Sequence, residues 1–345
     1  MTKVLLVDWL GRGGIAQTSE SWAIELQGAG ADVRVVTRTG RELGAGAVPT
    51  IGPPEGRNAV LAHASLCRFA ARQIRTWLPD VVVVQNYVIP VLEEQVHRAA
   101  RRVGAKVIVV VHDHRHHEWR EGGRLGLRRQ LRLADEVVVH STVVGAGLAR
   151  RTVRLVPLPV QLGVLAATGS SPLSSADGRL LALQVGVLNR TYKGTDIAVE
   201  LATRGVDGWS FAFAGVGAPT APGAQTIDRF LDAGELRAAV EEADALILPY
   251  RHATQSGAVV LAQVCGTVPL ATAVDGLIEQ IEDGVTGLLL PPDAPVVEWR
   301  RRLTELGNAP WRTAIEGRAR AHAWRQHEQF RAAVTELVGL PLPAG

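Results

Sequence analysis

The chain repeats short runs of mostly β-branched residues, and this repeat constrains its fold more than any other feature. In the first half the runs predict strands at 3–8, 33–37, 81–85, 106–111 and 136–140. Helix-length stretches separate them, at 17–29, 59–77, 92–103 and 142–149. Because nearly every side chain in these runs is apolar, both faces of each strand must be buried, as in a parallel sheet covered by helices.

The second half repeats the pattern. It predicts strands at 180–185, 209–214, 224–228, 245–249 and 268–272, a short one at 286–290, and helices near 194–204, 233–242 and 256–265. Between the halves, residues 163–178 are rich in Gly, Ser, Ala and Pro, which is typical of a linker. The sequence therefore predicts two α/β domains of Rossmann-like type, 1–162 and 179–310, joined by this linker. Residues 311–345 are predicted to form a helical tail that packs on the first domain.

Composition excludes several classes of protein. A length of 345 residues suits two domains, and 47% hydrophobic with 21% charged residues is typical of a folded core. No apolar run reaches 18 residues, and the N-terminus is predicted to be a buried strand rather than a signal peptide. Cys67 and Cys265 lie far apart, which argues against a disulfide framework and fits a cytoplasmic protein. A net charge of +3 gives no reason to expect nucleic acid as a partner.

Glycines follow the first predicted strand and open the first helix. Gly13 and Gly14 lie at this turn, where backbone N–H groups and the helix N-terminus favour an anion. An ordinary tight turn explains them equally well. The strict dinucleotide pattern G-x-G-x-x-G is incomplete, because its last position, counted from Gly11, holds Ala16 rather than glycine. This weakens the interpretation as a nicotinamide-dependent dehydrogenase.

Two loops of the second half carry polar and basic groups just after predicted strands. The first begins at Gly186 and contains Arg190 and Lys193, which are suited to one diphosphate. The second contains Gln255-Ser256-Gly257, which opens a helix. Solvated loop cations and a simply capped helix are the alternatives. Open α/β sheets bind ligands at the carboxyl ends of their strands, which favours a binding role.

Motifs along the chain resemble those of the family-4 retaining glycosyltransferases and their GT-B relatives. They are the early Gly-Gly turn, Val-His-Asp at 111–113, Tyr-Lys-Gly at 192–194, Ala-Gly-Val-Gly at 214–217, Ala-Asp-Ala at 243–245, Pro-Tyr-Arg at 249–251, Gln-Ser-Gly at 255–257, Cys-Gly-Thr-Val-Pro-Leu-Ala-Thr at 265–272 and Glu-Asp-Gly-Val-Thr-Gly-Leu-Leu at 282–289. The resemblance implies a GT-B fold, with two Rossmann-like domains facing a central crevice and C-terminal helices crossing back to the first domain. It also implies transfer of a sugar from a nucleoside diphosphate sugar, with retention of configuration and without a metal or cofactor.

The resemblance assigns roles to particular residues in the second half. Lys193 matches the lysine that neutralises the donor diphosphate, and Arg190 stands in for an arginine whose usual position holds Val187. Two family glutamates are replaced by Ala253 and Leu261. The resemblance therefore gives the donor sugar and phosphate to the Gln-Ser-Gly turn. The donor-binding set that we expect is Gly13, Gly14, Gly186, Lys193, Gly215, Gly217, Gln255, Ser256 and Gly257.

In the first domain, His112 matches a family histidine near the transferred sugar and is expected to act with Lys193 and Arg190 in catalysis. Asn86, Asp113 and His114 are expected on the acceptor side. The group that includes His114, His116 and His117 lies in a loop without a matching carboxylate or cysteine set, so we predict no metal site.

Some alternatives stay open from the sequence. The basic amphipathic segment 115–132 fits either a solvated helix face or a weak contact with an anionic membrane surface, which would place the protein at the inner face of the membrane. The donor nucleotide (UDP, GDP or dTDP), the acceptor and the oligomeric state are not determined. The competing functions are a GT-B sugar-nucleotide 2-epimerase and a catalytically inactive partner subunit. The residue bias of the chain favours a bacterial natural-product or cell-envelope pathway.

Overall fold

The computed structural model describes residues 1–38, 50–53, 58–113, 122–148, 152–174 and 178–341, without the side chains of 122–125. The chain divides into two compact units. The first contains Met1–Gly163 and is rejoined by the chain at Glu328, and the second contains Val164–His327.

The first unit is a parallel sheet with helices on both faces. Its strands are β1 (Lys3–Asp8), β2 (Asp32–Val36), β3 (Thr50–Ile51), β4 (Val81–Gln85), β5 (Lys106–Val111), β6 (Glu136–Val139) and β7 (Arg154–Leu155). Its helices are α1 (Gly13–Gly28), α2 (Ala59–Trp77), α3 (Pro90–Arg102), α4 (Gly122–Leu133) and α5 (Thr142–Gly147). The strand order is β3-β2-β1-β4-β5-β6-β7, and all pairs of neighbours are parallel.

Alternate residues of the central strands enter two separate cores, which explains the continuous apolar runs. Leu5 and Val7 pack with α2, α3 and α4 on one face of the sheet. Val4 and Leu6 pack with α1 on the other, together with Phe330 from the end of the chain. A strand that feeds two cores cannot alternate apolar and polar residues, so a period of two is absent from the sequence.

The second unit has the same plan. Its strands are β8 (Leu180–Val185), β9 (Trp209–Ala214), β10 (Ala224–Ile227), β11 (Ala245–Leu248), β12 (Val268–Thr272) and β13 (Leu288–Leu290), in the parallel order β10-β9-β8-β11-β12-β13. The helices from the connection onward are α6 (Leu162–Ala166), α7 (Thr195–Arg204), α8 (Ala233–Glu242), α9 (Gly257–Cys265), α10 (Leu277–Gln280), α11 (Val296–Leu306) and α12 (Ala309–Leu337). A 3₁₀ turn, Thr191–Lys193, precedes α7.

The C-terminal helices contribute to both units. Trp299 of α11 is fully buried in the core of the second unit, where Trp311 of α12 also packs. Further along α12, Trp324 is 40% exposed. Phe330 is fully buried in the first unit and meets the Trp22 ring edge-on, with ring centroids 5.7 Å apart. The division between the units therefore falls inside α12, between His327 and Glu328.

The two α/β sheets predicted from the sequence are confirmed. Six predicted strands have the bounds of β1, β4, β5, β8, β9 and β12, because each is a buried run with a clear polar or turn boundary. The two-residue strands β3 and β7 were not predicted. The short helix α6 covers the start of the segment predicted as a linker, whose remainder up to residue 174 holds no further helix or strand.

Candidate functional site

The sheet of the second unit has a topological switch between β8 and β11. The chain leaves β8 for β9 on one side, and β11 pairs with β8 on the other. The loops that follow β8 and β11 therefore diverge from adjacent strand ends, which is where open α/β sheets bind ligands. Both predicted donor loops, at 186–194 and 249–256, are these loops.

Lys193 is held between the two loops by a tyrosine. Its Nζ donates a hydrogen bond of 2.5 Å to the hydroxyl of Tyr250, and the same Nζ lies 4.1 Å from the centroid of that ring. The ring of Tyr192 stands 5.5 Å away on another side. The carbonyl of Lys193 accepts a hydrogen bond of 3.0 Å from Gln184, a side chain of β8. The ammonium group is thus fixed by an aromatic cage rather than extended into solvent.

This cage keeps Lys193 charged. Burial alone would lower its pKa, but Tyr250 and Tyr192 outweigh that effect, so the pKa of Lys193 is raised above its ordinary value. The hydrogen-bond acceptor is the phenol of Tyr250 rather than a carboxylate, so it does not cancel the positive charge of Lys193. A cation held in this way can stabilise an anionic ligand at the switch point.

A close backbone approach joins the same two loops. Gly194 has a φ of 60°, and a Cβ atom there would lie 1.8 Å from the carbonyl oxygen of Pro249. Only glycine satisfies both conditions, the left-handed backbone and the missing side chain. Arg251 adds a brace, since its guanidinium donates to the carbonyl of Thr191 at 2.5 Å and to Asp196 at 2.6 Å.

The Gln255-Ser256-Gly257 turn is braced by the last residue of α10, the short helix that follows β12. The side-chain amide of Gln280 accepts from the Ser256 N–H at 2.8 Å and donates to its carbonyl at 3.2 Å. Helix α9 begins at Gly257, and its N-cap Ser256 makes no side-chain cap. The first N–H groups of α9 therefore stand at the same sheet edge as Lys193, in a position that suits an anion.

The two positions that lack the family glutamates are apolar in the structure as well. Ala253 lies in the loop after β11, and Leu261 lies in α9; both are buried. Neither position contributes a carboxylate to this edge of the sheet.

The remaining glycines of the expected donor set bring two loops together. A Cβ on Gly215 would lie 1.9 Å from the carbonyl oxygen of Gly186, and one on Gly217 would lie 2.5 Å from Asn189. The loop after β9 thus packs directly against the loop that leads to Lys193. Arg190 caps the start of the 3₁₀ turn, where its carbonyl accepts from the N–H of Lys193 at 2.9 Å, and its side chain is exposed.

In the first unit, a buried aspartate organises the turn after β1. Asp8 accepts hydrogen bonds from the N–H groups of Leu10 and Gly11, both at 2.8 Å, and from the Ser19 hydroxyl at 2.8 Å. Burial raises the pKa of Asp8, and these three bonds oppose the rise. The turn leads into α1 at Gly13-Gly14, so the predicted glycines stand at the helix N-terminus as expected from the sequence.

His112 follows β5 and is only 6% exposed. Its Nε2 lies 3.0 Å from Oε1 of Gln85, and its ring centroid lies 5.1 Å from that of His140. Burial, and then the neighbouring His140, place the pKa of His112 well below its usual range. The imidazole is therefore neutral at physiological pH.

The other first-domain candidates lie beside this histidine. Asn86 follows β4 with a φ of 62°, and its N–H donates to the carbonyl of Val110 at 2.8 Å. The carbonyl of Asp113 accepts a hydrogen bond of 3.0 Å from the hydroxyl of Tyr87. His114 lies outside the described residues.

Three of the contacts in these sites were not predicted from the sequence. Tyr250 belongs to the quoted Pro-Tyr-Arg motif, but its bond to Lys193 depends on how β8 and β11 pair. Gln85 ends β4 and His140 follows β6, and these two buried strands are the neighbours of β5. The strand order alone could therefore have identified both residues.

Two further findings concern metals and membranes. Within the described ranges, no group of three His, Cys, Asp or Glu side chains is arranged to hold a metal ion. None of the helices in the described part of the chain is long and apolar enough to cross a membrane. Of the predicted basic segment 115–132, residues 115–121 lie outside the described residues, and the rest belongs to α4, where Arg128, Arg129 and Arg132 are exposed.

Known proteins resemble both halves of the chain. Residues 13–161 match the family "Glycosyl transferase 4-like domain", and residues 179–308 match the family "Glycosyl transferases group 1". A D-inositol 3-phosphate glycosyltransferase from Actinosynnema mirum is 38% identical over 113 residues, which are 31% of this chain and 27% of that relative's length.

Solved structures resemble the whole chain. The sucrose-phosphate synthase of Thermosynechococcus elongatus has a TM-score of 0.72 at 16% identity, covering 98% of both chains. Anabaena HepE in complex with UDP-glucose has a TM-score of 0.68 at 14% identity, again over 98% of both. At these identities the likeness concerns the fold, and it supports the two-domain α/β architecture.

Proposed function

We propose, from the premise that this chain is a GT-B glycosyltransferase resembling family 4, that it transfers a sugar from a nucleoside diphosphate sugar to an acceptor hydroxyl or amine. The observation that carries the proposal is the charged Lys193, held by Tyr250 between the loops after β8 and β11. Negative charge develops on the departing diphosphate in such a transfer, and a preorganised cation stabilises it.

The surrounding groups suit the same leaving group. The N-terminus of α9 begins at the Gln255-Ser256-Gly257 turn and adds backbone N–H groups at this edge. Gly186, Gly215 and Gly217 let the loops after β8 and β9 approach each other closely. We assign the diphosphate to Lys193 and the α9 N-terminus, with Arg190 as an auxiliary cation, and His112 to the sugar side.

The finer features of the reaction belong to the same proposal. We propose retention of configuration, a reaction without a metal, a cytoplasmic protein and a role in a bacterial natural-product or cell-envelope pathway. A UDP-sugar is the first donor to test, because HepE was solved with UDP-glucose. D-Inositol 3-phosphate is the first acceptor to test, because the Actinosynnema relative is named for it.

The test has a binding arm and a turnover arm. Thermal shifts with UDP, GDP, dTDP and ADP sugars identify the donor, since a ligand that binds the folded state raises its melting temperature. With that donor, Lys193→Ala should lower kcat by about 10²- to 10³-fold, as for the loss of one oxyanion donor. Lys3→Ala, a lysine beside Trp77 in the first unit, is the control. Near wild-type transfer by Lys193→Ala would refute this placement of the diphosphate.

One observation favours a second candidate, a catalytically inactive partner subunit. Ala253 and Leu261 supply no carboxylate where the family has two glutamates. Such a protein would bind the nucleotide sugar without hydrolysing or transferring it. An enzyme would release the free nucleotide in the presence of donor and acceptor, which a coupled nucleotide assay measures. Release of nucleotide and an epimerised sugar without any acceptor would indicate the 2-epimerase instead.

A further inference from the structure

Three polar side chains stand at the carboxyl ends of three adjacent strands in the first unit. Gln85 ends β4, His112 follows β5 and His140 follows β6, and they are 0%, 6% and 7% exposed. His112 is the central member, with the amide of Gln85 on one side and the His140 ring on the other. The hydrogen bonds of this cluster determine where its protons lie.

The tautomer of His140 follows from its backbone contact. Its Nδ1 lies 2.9 Å from the carbonyl oxygen of Val156, and a carbonyl oxygen only accepts hydrogen bonds. Nδ1 of His140 therefore carries the proton. Burial lowers the pKa of His140 to about 4, so the ring is neutral and its Nε2 carries a lone pair.

The tautomer of His112 is the opposite one. Its Nε2 lies 3.0 Å from the amide oxygen of Gln85, which also only accepts. Nε2 of His112 therefore carries the proton, and Nδ1 carries the lone pair. Burial and the neighbouring His140 lower the pKa of this ring as well, so it stays uncharged.

The cluster keeps this arrangement at a cost in stability. Nε2 of Gln85 and Nε2 of His140 are buried, and neither has a hydrogen-bond partner within the part of the chain that the structure describes. A buried polar atom without a partner is unfavourable, and apolar side chains in these places would avoid the penalty. In a native fold such a group indicates strain, a bound water or ion, or a role in function.

We propose that Gln85 and His140 are positioning residues that hold His112 as a neutral imidazole protonated at Nε2. The inference rests on the proposed function, in which His112 stands on the sugar side of the reaction. The transferred sugar becomes positively charged as its bond to the diphosphate breaks, and an imidazolium beside it would oppose that charge. A neutral ring in a fixed orientation can hydrogen-bond to the substrate without this repulsion.

The first measurement needs no variant. Nitrogen-15 NMR of histidine-labelled protein distinguishes protonated from unprotonated ring nitrogens, and the His112 signals are assigned by their loss in His112→Asn. At pH 7 we expect His112 to be protonated at Nε2 alone and His140 at Nδ1 alone. His97, another buried histidine whose Nδ1 lies 3.2 Å from the Glu93 carbonyl, is the internal reference for an Nδ1-protonated ring. An imidazolium or an Nδ1-protonated His112 would overturn the proposal.

The second measurement separates charge from geometry. Gln85→Glu keeps an acceptor opposite Nε2 of His112 but adds a negative charge, so His112 should become an imidazolium. We expect kcat to fall by about 10- to 100-fold, because the changed group, His112, acts beside the transferred sugar. The KM for the donor should stay within about twofold, because the rest of the site is unchanged. Gln95→Glu, the same change at a partly exposed position on α3, is the matched control. A wild-type kcat in Gln85→Glu, with His112 observed as an imidazolium, would contradict the proposal.

A second variant, Gln85→Leu, and the thermal shift with the donor test the proposal further. If Gln85→Glu does not fold, Gln85→Leu removes the acceptor without adding charge and should give mixed tautomers and a similar loss of kcat. Mixed tautomers with unchanged kcat would also count against the proposal. The donor-induced thermal shift should be unchanged in both variants, because Lys193 belongs to the other unit. If the wild type itself neither binds nor transfers any donor, the proposed function fails, and the NMR result still reports on the tautomer.

Discussion

The Lys193 ammonium depends on a neighbour that carries no formal charge. A carboxylate partner would hold it equally well but would cancel much of the field that a diphosphate feels. The Tyr250 hydroxyl, only 2.5 Å from Nζ, fixes the position of the charge and leaves its sign unopposed. The buried tyrosine is thus suited to a site that must receive an anion.

Removing only that hydroxyl should therefore weaken catalysis without disturbing the fold. We expect Tyr250→Phe to lower kcat/KM for the donor by roughly 10- to 100-fold, since a hydrogen bond to a charged group contributes about 1.5–3 kcal/mol. Steady-state kinetics with the donor from the thermal-shift panel gives the value. Tyr192→Phe leaves the Tyr250–Lys193 bond intact and is the control. Equal kcat/KM in Tyr250→Phe and the wild type would show that the bond has no part in catalysis.

Among the connecting elements, the loops after β8 and β11 behave as one structure. They meet at Gly194 and Pro249, and Arg251 ties the second loop to the 3₁₀ turn of the first. The position of the Lys193 ammonium group depends on this contact between the loops as much as on its own loop. A change that separates the loops should displace Nζ even when every polar side chain is retained.

Gly194→Ala is that change. The new Cβ would lie 1.8 Å from the Pro249 carbonyl oxygen, so the loops must move apart, and the left-handed backbone adds about 1–2 kcal/mol. We expect donor affinity, measured by calorimetry, to fall about tenfold or more, since 1.4 kcal/mol is a factor of ten. Gly104→Ala is the control, because Gly104 also has a positive φ, 77°, but open space around its Cβ. Equal losses in the two variants would mean that backbone strain, and not the loop contact, is responsible.

The same elements show what the sequence could and could not reveal. Strands such as Val81–Gln85 and Lys106–Val111 were predictable because burial on both faces leaves a long run of apolar residues. The carboxyl-end positions of Lys193 and His112 follow from the direction of parallel strands. The bond from Lys193 to Tyr250 could not be predicted, since it depends on the register between strands distant in sequence. The two-residue strands β3 and β7 are too short to leave a periodic signal.

On the scale of the whole molecule, the first unit is not continuous in sequence. Phe330, Val334 and Leu337 complete a core to which β1, β2, β4, β5, β6 and α1 also contribute. The end of the chain is therefore part of the hydrophobic core of the first unit. Lys106 and Arg154 reinforce it, bonding respectively to the carbonyl of Leu337 and the carboxylate of Glu336.

Phe330→Ala should accordingly destabilise the first unit. Its ring is fully buried against Trp22, and removing a buried phenylalanine costs about 3–5 kcal/mol. Denaturant unfolding followed by tryptophan fluorescence measures the loss. Trp324→Ala changes a large aromatic that is 40% exposed on the same helix and should cost much less. If the donor still raises the stability of Phe330→Ala, the loss of stability lies in the first unit. Equal free energies of unfolding for Phe330→Ala and Trp324→Ala would contradict the role of Phe330 in that core.

The division inside α12 also sets an order for biosynthesis. A ribosome releases the chain from its N-terminus, so all of the second unit, Val164–His327, emerges before the residues that complete the first. The first unit begins earlier, but one hydrophobic face of its sheet stays uncovered until Phe330 and Leu337 have been synthesised. A chain that ends after His327 would therefore contain the whole second unit, attached to a first unit that lacks Phe330 and Leu337 and cannot close its core.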